Sequence, residues 1–329
     1  MNIAVIGDGG WGSAVARLLD AKGHAVTVWG PFGDYIAEVR ATRQNPRYLP
    51  GVDFPETIRW TADLAEAVPA ADVLVLAIPS KFYRAVCARV APLLDAPRTL
   101  VVSLTKGVCP ETRQRMSEVA KAILGTDRVV VLSGPSHAEE VARGIPTAVT
   151  CACQDHALAV QAQTLFNGPR FRVYTTDDVL GVEIGGVVKN VLAIAVGASD
   201  GFGFGDNTRA ALITRGLAEM MRLGLAMGAK PQTLSGLAGV GDLIVTCTSR
   251  HSRNHAVGER LGKGEPIADI LASMKMVAEG VDNASLLHDL AQEYGVEMPI
   301  ADVVFRICHQ GLPAKDAVAL LMDRAAKPE

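Results

Sequence analysis

The chain opens Met1-Asn2-Ile3-Ala4-Val5-Ile6-Gly7-Asp8-Gly9-Gly10-Trp11-Gly12-Ser13-Ala14-Val15-Ala16-Arg17-Leu18-Leu19, and these residues set the class of the molecule. Ile3 to Ile6 reads as a buried strand, and the apolar run that ends at Leu19 reads as a helix. Gly7, Gly9 and Gly12 between them satisfy G-x-G-x-x-G in the strand-to-helix setting the motif requires. Gly7 permits the tight turn, Gly9 lets the backbone approach a pyrophosphate, and Gly12 lets helix and strand pack closely. With Gly10 they form a cofactor-binding loop at a helix N-terminus that faces the anion. A second strand, Val26 to Trp29, follows at the spacing such a unit needs, which favours a dinucleotide over a turn without ligand.

Outward from this unit, β-branched runs recur at Val73–Ile78, Thr99–Leu104, Val129–Leu132 and Thr147–Cys151, with helix-like segments between several of them. That alternation predicts a Rossmann-like, mostly parallel doubly wound sheet, an α/β arrangement with helices on both faces. Phe171–Tyr174 is the last strand-like piece. From Asp178 the pattern is helical: Val179–Gly197, Asn207–Met227, Ile267–Met276, Ala284–Tyr294 and Val303–His309. The expected organisation is a dinucleotide-binding domain over residues 1–178 and an all-helical substrate domain over 179–329.

Composition excludes several classes. Over 329 residues, 32 basic against 35 acidic side chains give a net charge of −3, and no basic field suits a nucleic acid. Hydrophobic residues make up 49% of the chain, enough for a sizeable core. The most apolar stretch, Gly181–Ala198, is interrupted by Glu183, Lys189 and Asn190, so no membrane span is expected. The start lacks the basic n-region of a secretory signal, and cytoplasmic location follows as the expectation. Cys87, Cys109, Cys151, Cys153, Cys247 and Cys308 lack CxxC spacing and read as reduced thiols. Cys247, His251 and His255 recur every four residues, but their Ser-, Arg- and Asn-rich setting offers no fourth ligand, so no metal is expected.

Cofactor choice stays open between NAD and NADP. The end of the second strand should supply an acid for a ribose hydroxyl or an Arg for a 2′-phosphate, yet it reads Gly30-Pro31-Phe32. Asp34 should turn outward, and Arg40 and Arg43 are a helical stretch away. On the reaction side, Lys189 lies in an almost wholly apolar helix. Burial would lower its pKa and let it exchange a proton with a substrate hydroxyl; the alternative is a Lys that snorkels or pairs with Glu183. Ser252-Arg253-Asn254 offers a guanidinium fork between short polar side chains, suited to a phosphate monoester, or else a helix cap beside a surface Arg. Ser133-Gly134-Pro135-Ser136 and Thr105-Lys106-Gly107 follow strands, where α/β sheets open their ligand crevice.

These segments together resemble the bacterial-type NAD(P)-dependent glycerol-3-phosphate dehydrogenase family. The resemblance spans essentially the whole chain: Ser103–Gly107, Ser133–Val141, Gly181–Ala195, Gly201–Met220, Gly236–Thr248, Ser252–Asn254 and Glu279-Gly280. It implies that Lys189 is the catalytic proton acceptor in oxidising sn-glycerol 3-phosphate to dihydroxyacetone phosphate. It implies that Lys106 and Asp242 hold the substrate's polar groups, and that Gly134, Ser136, Ser252, Arg253 and Asn254 line the substrate site. Trp11, Lys106, Ala138, Arg253, Val277 and Glu279 match positions that touch the dinucleotide. A homodimer and a role in phospholipid synthesis are further implications. The family commonly has a basic or polar residue where Pro31-Phe32 stands here, which leans the expectation towards NADH or dual use. Related β-hydroxyacid or ketopantoate-type dehydrogenases share the two-domain plan but should lack the phosphate-gripping triplet. A cofactor-sensing module would have lost Lys189, Asp242 or Arg253, all present here.

Overall fold

Strands apolar on both faces must be covered on both, and Ile3–Ile6, Val73–Leu76, Leu100–Val102 and Val129–Leu132 are such runs. A computed structural model of the protein describes residues 1–274 and 276–323. Its first compact unit, Met1–Glu183, holds β1 (Asn2–Ile6), α1 (Gly10–Asp20), β2 (Ala25–Trp29), α2 (Gly33–Thr42), β3 (Gln44–Asn45), β4 (Leu49–Asp53), β5 (Arg59–Thr61), α3 (Leu64–Ala67), β6 (Val73–Leu76) and α4 (Ser80–Val90). There follow β7 (Leu100–Ser103), α5 (Met116–Leu124), β8 (Val129–Ser133), α6 (Ala138–Ala142), β9 (Thr147–Ala152), α7 (His156–Phe166) and β10 (Phe171–Thr176).

Eight of these strands form one sheet in the order β10-β9-β8-β7-β6-β1-β2-β5. All neighbours are parallel except β8 and β9. Alternate residues feed opposite faces: Ile3, Val5, Val102 and Val130 join one core, and Ala4, Ile6, Leu74 and Val101 the other. β1 lies between β2 and β6, so the winding reverses there, and ligands of open α/β sheets bind beyond the strand ends at that reversal. The β3–β4 hairpin and short β5 were not expected, because Gln44–Asn45, Pro50-Gly51 and Arg59 interrupt any apolar alternation.

Helix α8 (Val179–Gly201) leads into the second unit, Ile184–Glu329. It is followed by α9 (Asp206–Ala226), α10 (Pro231–Leu234), α11 (Asp242–Thr248), α12 (Arg253–Gly262), α13 (Ile267–Ser273), α14 (Glu279–Glu293), α15 (Pro299–His309) and α16 (Ala317–Met322). Among the described residues of this unit there is no strand. By length and composition α8 could cross a membrane, yet 83% of its most apolar window is buried in the protein, so it is a core helix. Glycines let other backbones reach it. A Cβ on Gly197 or Gly201 of α8 would strike the carbonyls of His255 and Glu259, and one on Gly258 or Gly262 of α12 would strike those of Ile194 and Ala198. Buried Glu219 caps α15, accepting from the N–H groups of Ile300 at 2.7 Å and Ala301 at 3.1 Å, donors that a helix start otherwise leaves unpaired.

Candidate active site

In the first unit the glycine loop runs from β1 into α1. Gly7 has φ +123°, and a Cβ there would strike the carbonyl of Ala77, after β6; only glycine meets both demands. A Cβ on Gly12 would strike the carbonyl of Gly7, and one on Gly10 would lie 2.6 Å from the carbonyl of Tyr48. Gly9 is the N-cap of α1 without a side-chain cap, and nothing stands within 4 Å of where its Cβ would be. The carbonyl of Asp8 accepts from Ser13 Oγ at 3.1 Å and from Asn45 Nδ2 at 2.7 Å, while Tyr35 Oη donates to Asn45 Oδ1 at 2.5 Å. The loop is thus fixed from behind and open at Gly9. Trp11 Nε1 and Asp8 Oδ2 are buried without partners. An uncapped helix start, an open glycine and two orphaned polar atoms fit a dinucleotide.

Burial pushes the Asp8 carboxyl from 3.8 up to about 6, opposed by its own backbone N–H and by Arg47; Tyr35 also feels its charge. Its pKa in the fold exceeds the unfolded value, so the folded state binds the extra proton between about pH 4 and pH 6. The contribution of Asp8 to stability is therefore fully present below that window and is lost as pH rises through it, roughly 3 kcal/mol. The Asp8→Asn variant is expected to be more stable than the parent at pH 7, the difference closing at pH 4, as read by urea denaturation at both pH values.

Three more expected residues follow β7 and β8. Lys106 Nζ donates to the carbonyl of Gly134 at 3.0 Å, and Ser136 Oγ donates to the same oxygen at 2.9 Å. Gly134 has φ +137° and lies close under Val149, so the structure brings these three together on one carbonyl. Ala138 is the first residue of α6, beside Gly10, whose Cβ would be 3.5 Å from its own.

In the second unit Lys189, on α8, is 5% exposed. Its Nζ lies 2.5 Å from Asp242 Oδ1 and 2.9 Å from Thr246 Oγ1. Asp242 and Thr246 are one turn apart on α11, hence on one face. The Thr246 hydroxyl donates to the carbonyl of Asp242 at 2.6 Å, leaving its oxygen to accept from lysine. No motif marks Thr246 in the sequence; its signal is the four-residue spacing from Asp242. Glu183, the alternative partner for Lys189, is occupied instead by Arg115 Nη1 at 2.9 Å and by the backbone and hydroxyl of Ser117 at 2.9 and 2.6 Å. Asp242, expected on the substrate's polar groups, has Oδ1 on Lys189.

The triplet is divided in the same way. Ser252 is the N-cap of α12, accepting from the N–H of His255 at 3.2 Å. Buried Asn254 donates to Asn190 Oδ1 at 2.9 Å and accepts from the N–H of Gly280 at 2.9 Å, tying α8, α12 and α14 together. Only Arg253 is exposed, and its Nη1 donates to the carbonyl of Val277 at 2.6 Å. Val277 thus meets Arg253, and Glu279 opens α14. His255 Nε2 pairs with Asp200 Oδ2 at 2.8 Å.

Family models for the NAD-dependent glycerol-3-phosphate dehydrogenase N-terminus and C-terminus match residues 2–159 and 178–319. A glycerol-3-phosphate dehydrogenase [NAD(P)+] of Geobacter sulfurreducens is 50% identical over 99% of this chain and 98% of its own. One from Streptomyces avermitilis is 49% identical over 99% and 97%. The crystal structure of glycerol-3-phosphate dehydrogenase from Coxiella burnetii superposes with a TM-score of 0.93 at 42% identity, covering 98% of this chain and 99% of that one. With both family models matched and whole-length relatives at half identity, the chain belongs to the NAD(P)-dependent glycerol-3-phosphate dehydrogenase family.

Proposed function

We propose that this enzyme interconverts sn-glycerol 3-phosphate and dihydroxyacetone phosphate with NAD or NADP, using Lys189 to carry the proton of the C2 hydroxyl. The observation that carries the proposal is the buried lysine braced by Asp242 and Thr246, in a chain whose residues 2–159 and 178–319 match this family. In the oxidation Lys189 accepts the C2 hydroxyl proton as C2 loses hydride; in the reduction it returns that proton to the carbonyl oxygen. The dinucleotide, when bound, supplies the hydride acceptor or donor. Asp242 Oδ1 lies 2.5 Å from the Lys189 Nζ, and Asp242 acts on the substrate through Lys189, as a positioning residue.

Residues 1–178 hold the dinucleotide, through Gly7, Gly9, Gly10, Trp11 and Gly12, with Lys106 and Ala138. Residues 179–329 hold the proton carrier and the phosphate grip, with Arg253, Val277 and Glu279 also serving the cofactor. Lys106, Gly134 and Ser136 serve the substrate. In the phosphate grip Arg253 supplies the fork, because Asn254 is engaged on both polar atoms and Ser252 caps its helix. Grip at the phosphate end fixes C2 for reaction. The reductive direction supplies glycerol 3-phosphate for phospholipid synthesis, and a cytoplasmic homodimer completes the reading, dimers being the commonest soluble assembly.

The test is oxidation of NADH and NADPH by purified protein with dihydroxyacetone phosphate, beside carboxylate substrates that lack phosphate. Turnover confined to the phosphorylated ketone is expected. Folded protein that binds dinucleotide and reduces only the carboxylates would overturn the assignment.

A further inference from the structure

The end of β2 lacks the acid that NAD-binding folds place there to read the ribose: the strand closes at Trp29, and Gly30 follows. The space a side chain at position 30 would use is filled from the first turn. An ideal Cβ on Gly30 would lie 2.5 Å from Asp8 Cγ and 2.7 Å from Asp8 Oδ2. Asp8 is 5% exposed, and its Oδ2 is buried without a hydrogen-bond partner. A buried acceptor left unmatched costs stability, so its retention points to a donor brought from outside.

We infer that Asp8 is the acid that selects the dinucleotide, accepting a hydrogen bond from a ribose hydroxyl beside Gly30 and disfavouring a 2′-phosphate there, so that this enzyme prefers NADH to NADPH. The inference rests on the dinucleotide reading of the glycine loop. It relocates the discriminating carboxylate from the second strand to the residue after Gly7, and explains why position 30 is glycine: any side chain would collide with the acid. The carboxyl is ionised at neutral pH, since burial takes it only to about 6. Alternative acids are poorly placed, Asp34 being exposed on α2. The cation whose field reaches Asp8 is Arg47, exposed and stacked 4.4 Å above the ring of Tyr35. It does not donate to Asp8 Oδ2, which remains unmatched.

The experiment is calorimetric titration of NADH and NADPH into the parent protein and into Asp8→Asn, Asp8→Ala and Arg47→Ala. The parent is expected to bind NADH more tightly. In Asp8→Asn the ratio of the two Kd values should fall about tenfold or more, chiefly through tighter NADPH binding, as when one repulsive element is removed. Asn keeps the shape of Asp, and thermal denaturation checks that each variant is folded. Equal ratios in parent and Asp8→Asn, or a parent that prefers NADPH, would overturn the inference. So would a ratio governed by Arg47→Ala alone, which would assign the choice to that cation. Folded parent protein that bound neither dinucleotide would instead overturn the cofactor reading, and this inference with it.

Discussion

Replacing Lys189 with alanine is expected to lower kcat by about 10²- to 10⁴-fold, the range for a lost general acid–base group. Dinucleotide affinity should be retained, because Lys189 is not among the residues assigned to the cofactor. The loss should appear in kcat and kcat/KM together, as for an interaction made in the transition state. Two readouts separate this from a structural effect. The parent's kcat should follow an ionisation with pH that disappears in the variant, and added primary amines should restore part of the rate. A variant that is folded and retains more than about a tenth of parental kcat would remove Lys189 from proton transfer.

Asp242→Ala is expected to destabilise the protein by about 3–5 kcal/mol, because it leaves the Lys189 ammonium buried without its carboxylate. The carboxylate is 1% exposed and the lysine 5%, so solvent can do little to replace the lost partner. Combining Lys189→Met with Asp242→Leu should recover most of that stability, since a buried ion pair can often be exchanged for apolar residues of similar volume. The recovered protein should have no activity. Urea denaturation of Lys189→Met, Asp242→Leu and the double variant measures the coupling. A cost below about 1 kcal/mol for Asp242→Ala would show that the pair is not a dry, mutually dependent unit.

Most of the sheet could be read directly, because parallel strands buried on both faces announce themselves as unbroken apolar runs. The hairpin at Gln44–Asp53 could not: Asn45 is fully buried for a tertiary reason, its contacts with Asp8, Ser13 and Tyr35. Helices α11 and α12 were likewise absent from the helical pattern, since glycines, hydroxyls and charges in Gly236–Gly262 serve Lys189 and backbone packing rather than an apolar stripe. At the site, Lys189 stood out as a lysine among apolar residues. Its partner was harder to see, because Asp242 is 53 residues away while Glu183 sits on the same helix. Asp8 was hidden by the motif itself, which treats that position as free and directs attention to an acid at the end of β2.

The glycine contacts between α8 and α12 work as a ruler. Side chains that touch can adjust by rotating, but Gly197, Gly201, Gly258 and Gly262 bring main chain against main chain, where no torsion is available to absorb an error. The spacing between the helix that carries the ammonium and the helix that begins at the guanidinium is therefore set by the radii of backbone atoms. A displacement of 1 Å between reacting groups can cost about 10²-fold in rate. By this measure a single methyl added at any of the four glycines would have to move a whole helix, since it would meet main chain rather than a side chain that can turn aside.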